Sequence, residues 1–208
     1  MKNRNENVKK GKLAEGKIIE HLTKFEGCRK IKVIGDYTTK RLKGETLTEM
    51  EKIENDINML KGIDMQVNYI DEGVGWMVEY GYNIDAKGFK YDSRYYGEMD
   101  DEGKVEKLML QVEKKVVNIK TATKGIESNI YKGWANNPKH LTHFITINIS
   151  GWVYYLKYVA LVEYLKDKSR YNTPYNEFKK ANGGYEICLI VPVKGLLESG
   201  VITAIVPL

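Results

Sequence analysis

The chain has 208 residues, 42% of them hydrophobic, with four prolines and a formal net charge of +5, which argues for an ordered globular protein rather than a disordered one and allows one sizeable core. No apolar run reaches the length of a membrane span, and the opening MKNRNENVKKGKL lacks the apolar heart of a signal peptide, so a cytoplasmic protein with no membrane partner is expected. Charge is uneven, with 13 Lys and Arg against 5 Asp and Glu up to Lys43 and 20 against 23 beyond, and a basic amino-terminal fifth suits an anionic partner such as nucleic acid.

Taken in order, Val8 to Phe25 carries a helical stripe of Leu13, Ala14, Ile18, Ile19, Leu22 and Phe25. Glu15 falls inside that stripe, whereas Glu20 points away; Glu15 is either a carboxylate aimed at a site or an edge residue whose stem reaches back to water. Gly27 closes the helix, Arg29 to Ile34 reads as a short strand, and Leu47 to Leu60 reads as a second helix with Met50, Ile53, Ile57 and Leu60 on one side.

Two alternating segments, KGIDMQVNYI and WMVEYGYNIDAKG, flank the acidic, glycine-bearing DEGVG and predict a β-hairpin. Period-two alternation puts Ile63, Met65, Val67 and Tyr69 on one face of the first strand and Asp64, Gln66 and Asn68 on the other. In the second strand Tyr82, Ile84 and Ala86 share a face, leaving Asp85 and Lys87 on its reverse. A turn centred between Val74 and Gly75 brings Asp64 opposite Asp85. Two carboxylates so close repel unless a cation stands between them, and with Lys87 alongside they outline a divalent-metal site.

The polar, tyrosine-rich stretch GFKYDSRYYGEMDDEGK predicts a loop insertion at about 88–106, in which Tyr91, Tyr95 and Tyr96 interleave with Lys90 and Arg94, a mixture that either stacks on bases or packs the loop onto the body. Lys107 to Lys120 reads as one strand or two, and its Glu113 and Lys115 repeat the acid, spacer, lysine pattern. Ser128 to Asn137 reads as a loop or short helix, HFITINI and WVYYLKYV as strands, ALVEYLKDK as a helix, the region around Pro174 as a polar connection, and EICLIVPV and VITAIVPL as strands around a short LLESG segment. The expected fold class is α+β, a mixed central β-sheet flanked by helices in a single domain over 1–208.

Gly11 and Glu15, then Gly62, Ile63 and Asp64, then Ile84, Asp85, Ala86 and Lys87 resemble the spaced motifs of the PD-(D/E)XK nuclease superfamily. GWANNPKHLTHFITINI followed by WVYYLKYVALVEYL is similar to a pattern of its phage and mobile-element members. The resemblance spans Gly11 to about Leu165; Ile63 stands where the namesake motif has proline, and the Glu113, Lys115 pair competes with Asp85 and Lys87 for the second motif.

The resemblance implies a restriction-endonuclease-like core and an endonuclease that hydrolyses DNA phosphodiester bonds with metal-activated water, leaving a 5′-phosphate and a 3′-hydroxyl. Asp64, Asp85 and Glu15, with Glu113 as a further candidate, would hold Mg²⁺ or its substitute Mn²⁺, and Lys87 would stabilise negative charge building on the phosphate. Lys9, Lys10, Lys12, Lys90 and Arg94 are the candidate DNA contacts; RNA stays open as a substrate, and a homodimer is implied. The rival expectation is a catalytically inactive nucleic-acid-binding module of the same fold.

Other chemistries find no support in the sequence. There is no P-loop, no GxGxxG after a strand and no nucleophile elbow. His140 and His143 lack two further zinc ligands and read as packing or strand-capping residues, while Cys28 and Cys188 read as small buried groups in a reducing compartment. Trp76, Trp134 and Trp152 are expected in cores or at sheet edges.

Overall fold

Ile63, Met65 and Val67 are buried and the intervening Asp64, Gln66 and Asn68 half-exposed in the computed structural model, as alternation along a one-sided strand requires. The structure describes residues 12–13, 15–24, 28–33, 40, 44–71, 78–119, 126–167, 169, 175–179 and 183–208. In chain order the elements are α1 (15–22), β1 (Cys28–Val33), α2 (Glu49–Lys61), β2 (Met65–Asp71), β3 (Val78–Gly88), α3 (Ser93–Tyr96), β4 (Lys107–Ile119), β5 (Ile126–Lys132), β6 (Phe144–Ile149), β7 (Trp152–Lys157), α4 (Tyr158–Lys166), β8 (Tyr175–Lys179), β9 (Tyr185–Pro192), α5 (Val193–Glu198) and β10 (Ile202–Pro207). The fold is α+β, and its contacts group into two units.

The first unit comprises Met1–Lys90, Lys139–Tyr158 and Thr203–Leu208. Its six-stranded sheet runs β1-β2-β3-β6-β7-β10 and is mixed: β1, β2 and β3 are antiparallel, β3 and β6 are parallel, and β6 turns back antiparallel into β7. From α1, Ile18 and Leu22 pack on Met65, Val67 and Val153, with Ala86, Tyr155 and Val206 around them. Burying each of those two aliphatic side chains contributes about 1.5–3 kcal/mol. With Met65, Val67 and Ala86 committed to this core, alternation sends Asp64, Asp85 and Lys87 to the other face.

The second unit comprises Tyr91–Pro138 and Val159–Ile202. Its four strands run β5-β4-β9-β8, all antiparallel, over buried Leu108, Leu110, Leu189 and Val191. Strand β4 is one continuous strand with a register shift between Gln111 and Glu113. The chain leaving β5 folds back on that bulge: the Gly133 amide donates to the Val112 carbonyl at 2.8 Å and the Ala135 amide to the Gln111 carbonyl at 3.1 Å. A Cβ at Gly133 would overlap the Gln111 carbonyl, so only glycine passes there.

Several expectations change. Ser128 to Lys132, expected as loop or short helix, belongs to strand β5, which pairs with β4 from Glu113 to Ile119. Tyr175 to Lys179, expected as a polar connection, is strand β8 on the edge of β9. The strand beginning at Trp152 gives way to helix at Tyr158, whose amide still donates to the His143 carbonyl, one pair beyond Phe144 and Lys157 in the same register. The stripe of α2 forms on its helix, but Met50, Ile53 and Ile57 stand exposed. The expected insertion at 88–106 holds the end of β3, the short α3 and a bridge between Met99 and Val105 at the start of the second unit. Among the described residues no helix is long and apolar enough to cross a membrane.

Candidate active site

The register of the hairpin decides the site. Met65 pairs with Ile84 and Val67 with Tyr82, so one step beyond the ladder Asp64 comes opposite Asp85, the alignment given by a turn centred between Val74 and Gly75; those two turn residues lie outside the described residues. The Ala86 amide donates to Asp64 Oδ2 at 2.8 Å, fixing the Asp64 carboxylate against β3. Lys87 Nζ donates to Asp85 Oδ1 and lies 3.8 Å from Asp64 Oδ2, so one ammonium is shared between two carboxylates.

The three side chains differ in exposure: Asp85 is only 2% exposed, whereas Lys87 and Asp64 keep 25% and 32% of their side chains accessible. Burial pushes the Asp85 carboxyl up to about 8; the Lys87 charge opposes that rise and the Asp64 charge adds to it. For Lys87, burial alone would depress the ammonium, but Asp85, then Asp64, and finally Glu15 outweigh it and raise it. Glu15 therefore acts on this site through its field, while its Oε2 accepts from Lys12 Nζ at 2.9 Å.

His140 is a member of this neighbourhood that sequence reasoning set aside. Its ring covers Gly62, two residues before Asp64, and stacks on Tyr158 with centroids 5.8 Å apart and planes at 25°. Gly62 has φ of +63°, and a Cβ there would overlap the His140 ring, so both backbone and space call for glycine. The Leu141 amide donates to the Lys61 carbonyl at 2.8 Å, tying this segment to the turn that feeds Asp64. Nδ1 of His140 is buried without a hydrogen-bond partner. Burial and then the Lys87 charge lower the His140 pKa, against an opposing pull from Asp64. Nothing local in KHLTH marks His140, because its importance comes from a turn far back in the chain.

The other candidates have different surroundings. Glu113 lies on β4 of the four-stranded sheet, where Tyr185 Oη donates to its Oε1 at 2.8 Å, and Lys115 lies over the Tyr185 ring at 5.9 Å, so the second acid, spacer, lysine pattern is engaged with one tyrosine. Arg94 binds Asp92 at 2.6 Å and lies over the Tyr95 ring at 5.3 Å, and Lys90 is exposed. Lys9 and Lys10 lie outside the described residues, as does Trp76. Cys188 is buried, with its thiol pushed up to about 12 by burial, as for an inert packing group.

Among the described residues no three His, Cys, Asp or Glu side chains form a group that could hold a metal ion. The pair that does converge is nevertheless of the right kind: hard carboxylate oxygens suit Mg²⁺, which commonly takes one or two protein carboxylates and keeps its remaining positions for water and phosphate. Asp85 adds a reason of its own, since a carboxyl held above its usual range by burial gains most from a nearby cation. Compared with family models, with curated proteins and with solved structures, the chain matches none.

Proposed function

We propose that the protein is a Mg²⁺-dependent endonuclease that hydrolyses DNA phosphodiester bonds, on a restriction-endonuclease-like core. One observation carries this reading: Asp64 and Asp85, distant in sequence, meet at one ammonium, that of Lys87, on a single sheet face. When bound, Mg²⁺ supplies Lewis-acid neutralisation of the phosphate and a more acidic water. The chain supplies the rest. Asp64 and Asp85 hold the ion, and the Ala86 amide keeps Asp64 in one orientation. Lys87, partly exposed, donates to a phosphate oxygen as charge grows on it, an interaction stronger in the transition state than before it. Glu15 adds negative charge that holds Lys87 protonated. Water oxygen bonds to phosphorus as the bond from phosphorus to the 3′ oxygen breaks, leaving a 5′-phosphate and a 3′-hydroxyl.

The test is incubation of the protein with supercoiled plasmid and Mg²⁺ or Mn²⁺. Nicked and linear products are expected from the parent, with Asp85→Ala and Lys87→Ala each slowing cleavage by about 100-fold or more. DNA binding without cleavage in the parent, unaffected by either substitution, would overturn this reading in favour of an inactive binding module.

A further inference from the structure

Lys87 occupies the point where the two carboxylates face each other. Its Nζ donates to Asp85 Oδ1 and stands 3.8 Å from Asp64 Oδ2, while a quarter of its side chain remains accessible to solvent. We infer that Lys87 is an exchangeable internal counter-ion of the Asp64 and Asp85 pair, which a divalent cation must displace, so that the ammonium is released toward the anionic substrate only once metal has arrived. The inference rests on the reading of Asp64 and Asp85 as the metal-holding pair and adds a regulation to it.

Three features support the exchange. Asp85 is almost wholly buried, so once ionised its charge has Lys87 as its cationic hydrogen-bond donor, and it cannot be left uncompensated at low cost. Asp64 is secured independently by the Ala86 amide, so moving the ammonium does not free that carboxylate. A dication and an ammonium at such short range repel each other strongly, and the lysine, with its flexible four-carbon stem and partial exposure, is the member able to move. The lysine keeps its proton throughout; it exchanges one anionic partner for another.

The consequence is an order of events. Without metal the basic group is sequestered, and two carboxylates around one ammonium present an anionic rather than a cationic surface to DNA. Once metal holds the carboxylates, Lys87 becomes available to a phosphate oxygen. A substitution that removes the ammonium should therefore improve metal binding while destroying cleavage, which a purely catalytic lysine has no reason to do.

Calorimetric titration of Mn²⁺ into the parent, Lys87→Met and Lys87→Arg at alkaline pH tests this. Lys87→Met should bind Mn²⁺ about tenfold tighter or better than the parent, because the competing charge is gone, and Lys87→Arg should bind no tighter than the parent. Unchanged or weaker binding by a natively folded Lys87→Met overturns the inference. The parent also decides the matter alone: acetylation read by peptide mass spectrometry should rise at Lys87 on adding Mn²⁺, relative to exposed Lys90, and no rise overturns it. Plasmid cleavage is scored separately. A parent that shows both Mn²⁺ effects but cuts no DNA would sink the hydrolase reading and leave the counter-ion standing; one that cuts DNA but shows neither would do the reverse.

Discussion

Among the described carboxylates Asp85 has the environment that departs furthest from an ordinary one, and the departure has a signed consequence for stability. In the folded chain burial raises its carboxyl to about 8, while in the unfolded chain it titrates near 4. Below about pH 4 both states hold the proton and there is no penalty. Between about 4 and 8 the unfolded chain releases a proton that the folded chain retains, so Asp85 makes folding less favourable as pH rises, by at most about 1.4 kcal/mol per unit, and the effect levels off above about 8. Urea unfolding measured across that range should show this downward slope in the parent and a shallower one in Asp85→Asn. Equal slopes would mean that the Asp85 carboxyl is not held up by burial.

At the scale of elements, the hairpin was legible in the sequence because its information is local. Met65 and Val67 alternate with Asp64 and Gln66, and the observed pairing of Met65 with Ile84 is the one set by counting from the turn. Strands β5 and β8 were not legible, because Ser128, Asn129, Asn176 and Glu177 carry no strand preference of their own and take extended form from the neighbouring β4 and β9. The parallel ladder of β3 with β6, pairing Asp85 with Ile145 and Lys87 with Ile147, joins segments too far apart for periodicity to connect. His140 escaped for the same reason: its signal lies in Gly62, whose positive φ is invisible until the ring above it is seen. Gly62→Ala should destabilise the protein by about 1–2 kcal/mol from the backbone alone, with a further loss from displacing His140. Chemical denaturation measures the first effect, and plasmid cleavage should fall too, since Asp64 follows two residues later. Gly133→Ala meets backbone rather than a ring and should cost about 1–3 kcal/mol or more, read as faster amide exchange in β4 and β5.

At the scale of the molecule, the chain enters and leaves the two units at Lys90/Tyr91, Pro138/Lys139, Tyr158/Val159 and Ile202/Thr203. Two of these crossings fall inside α4 and β10, so no linker composition announces them, which is why the sequence reads as one domain. Charge is also a whole-molecule property. If the basic amino-terminal fifth contacts DNA phosphates, replacing Lys9 and Lys10 with glutamine should make the fall of log affinity with log salt shallower by about 2, measured by anisotropy on a labelled duplex. An unchanged slope would assign DNA contact to other cations.

The parallel pairing of β3 with β6 also governs how the chain is made. A ribosome delivers Gly88 well before Phe144, at about 5–20 residues per second, so for some seconds the strand carrying Asp85 and Lys87 has one side of its backbone ladder open. During that interval it is a sticky edge beside growing protein, and slow synthesis or a missing chaperone should send more of this chain into aggregates than a fold with only neighbouring strand pairs.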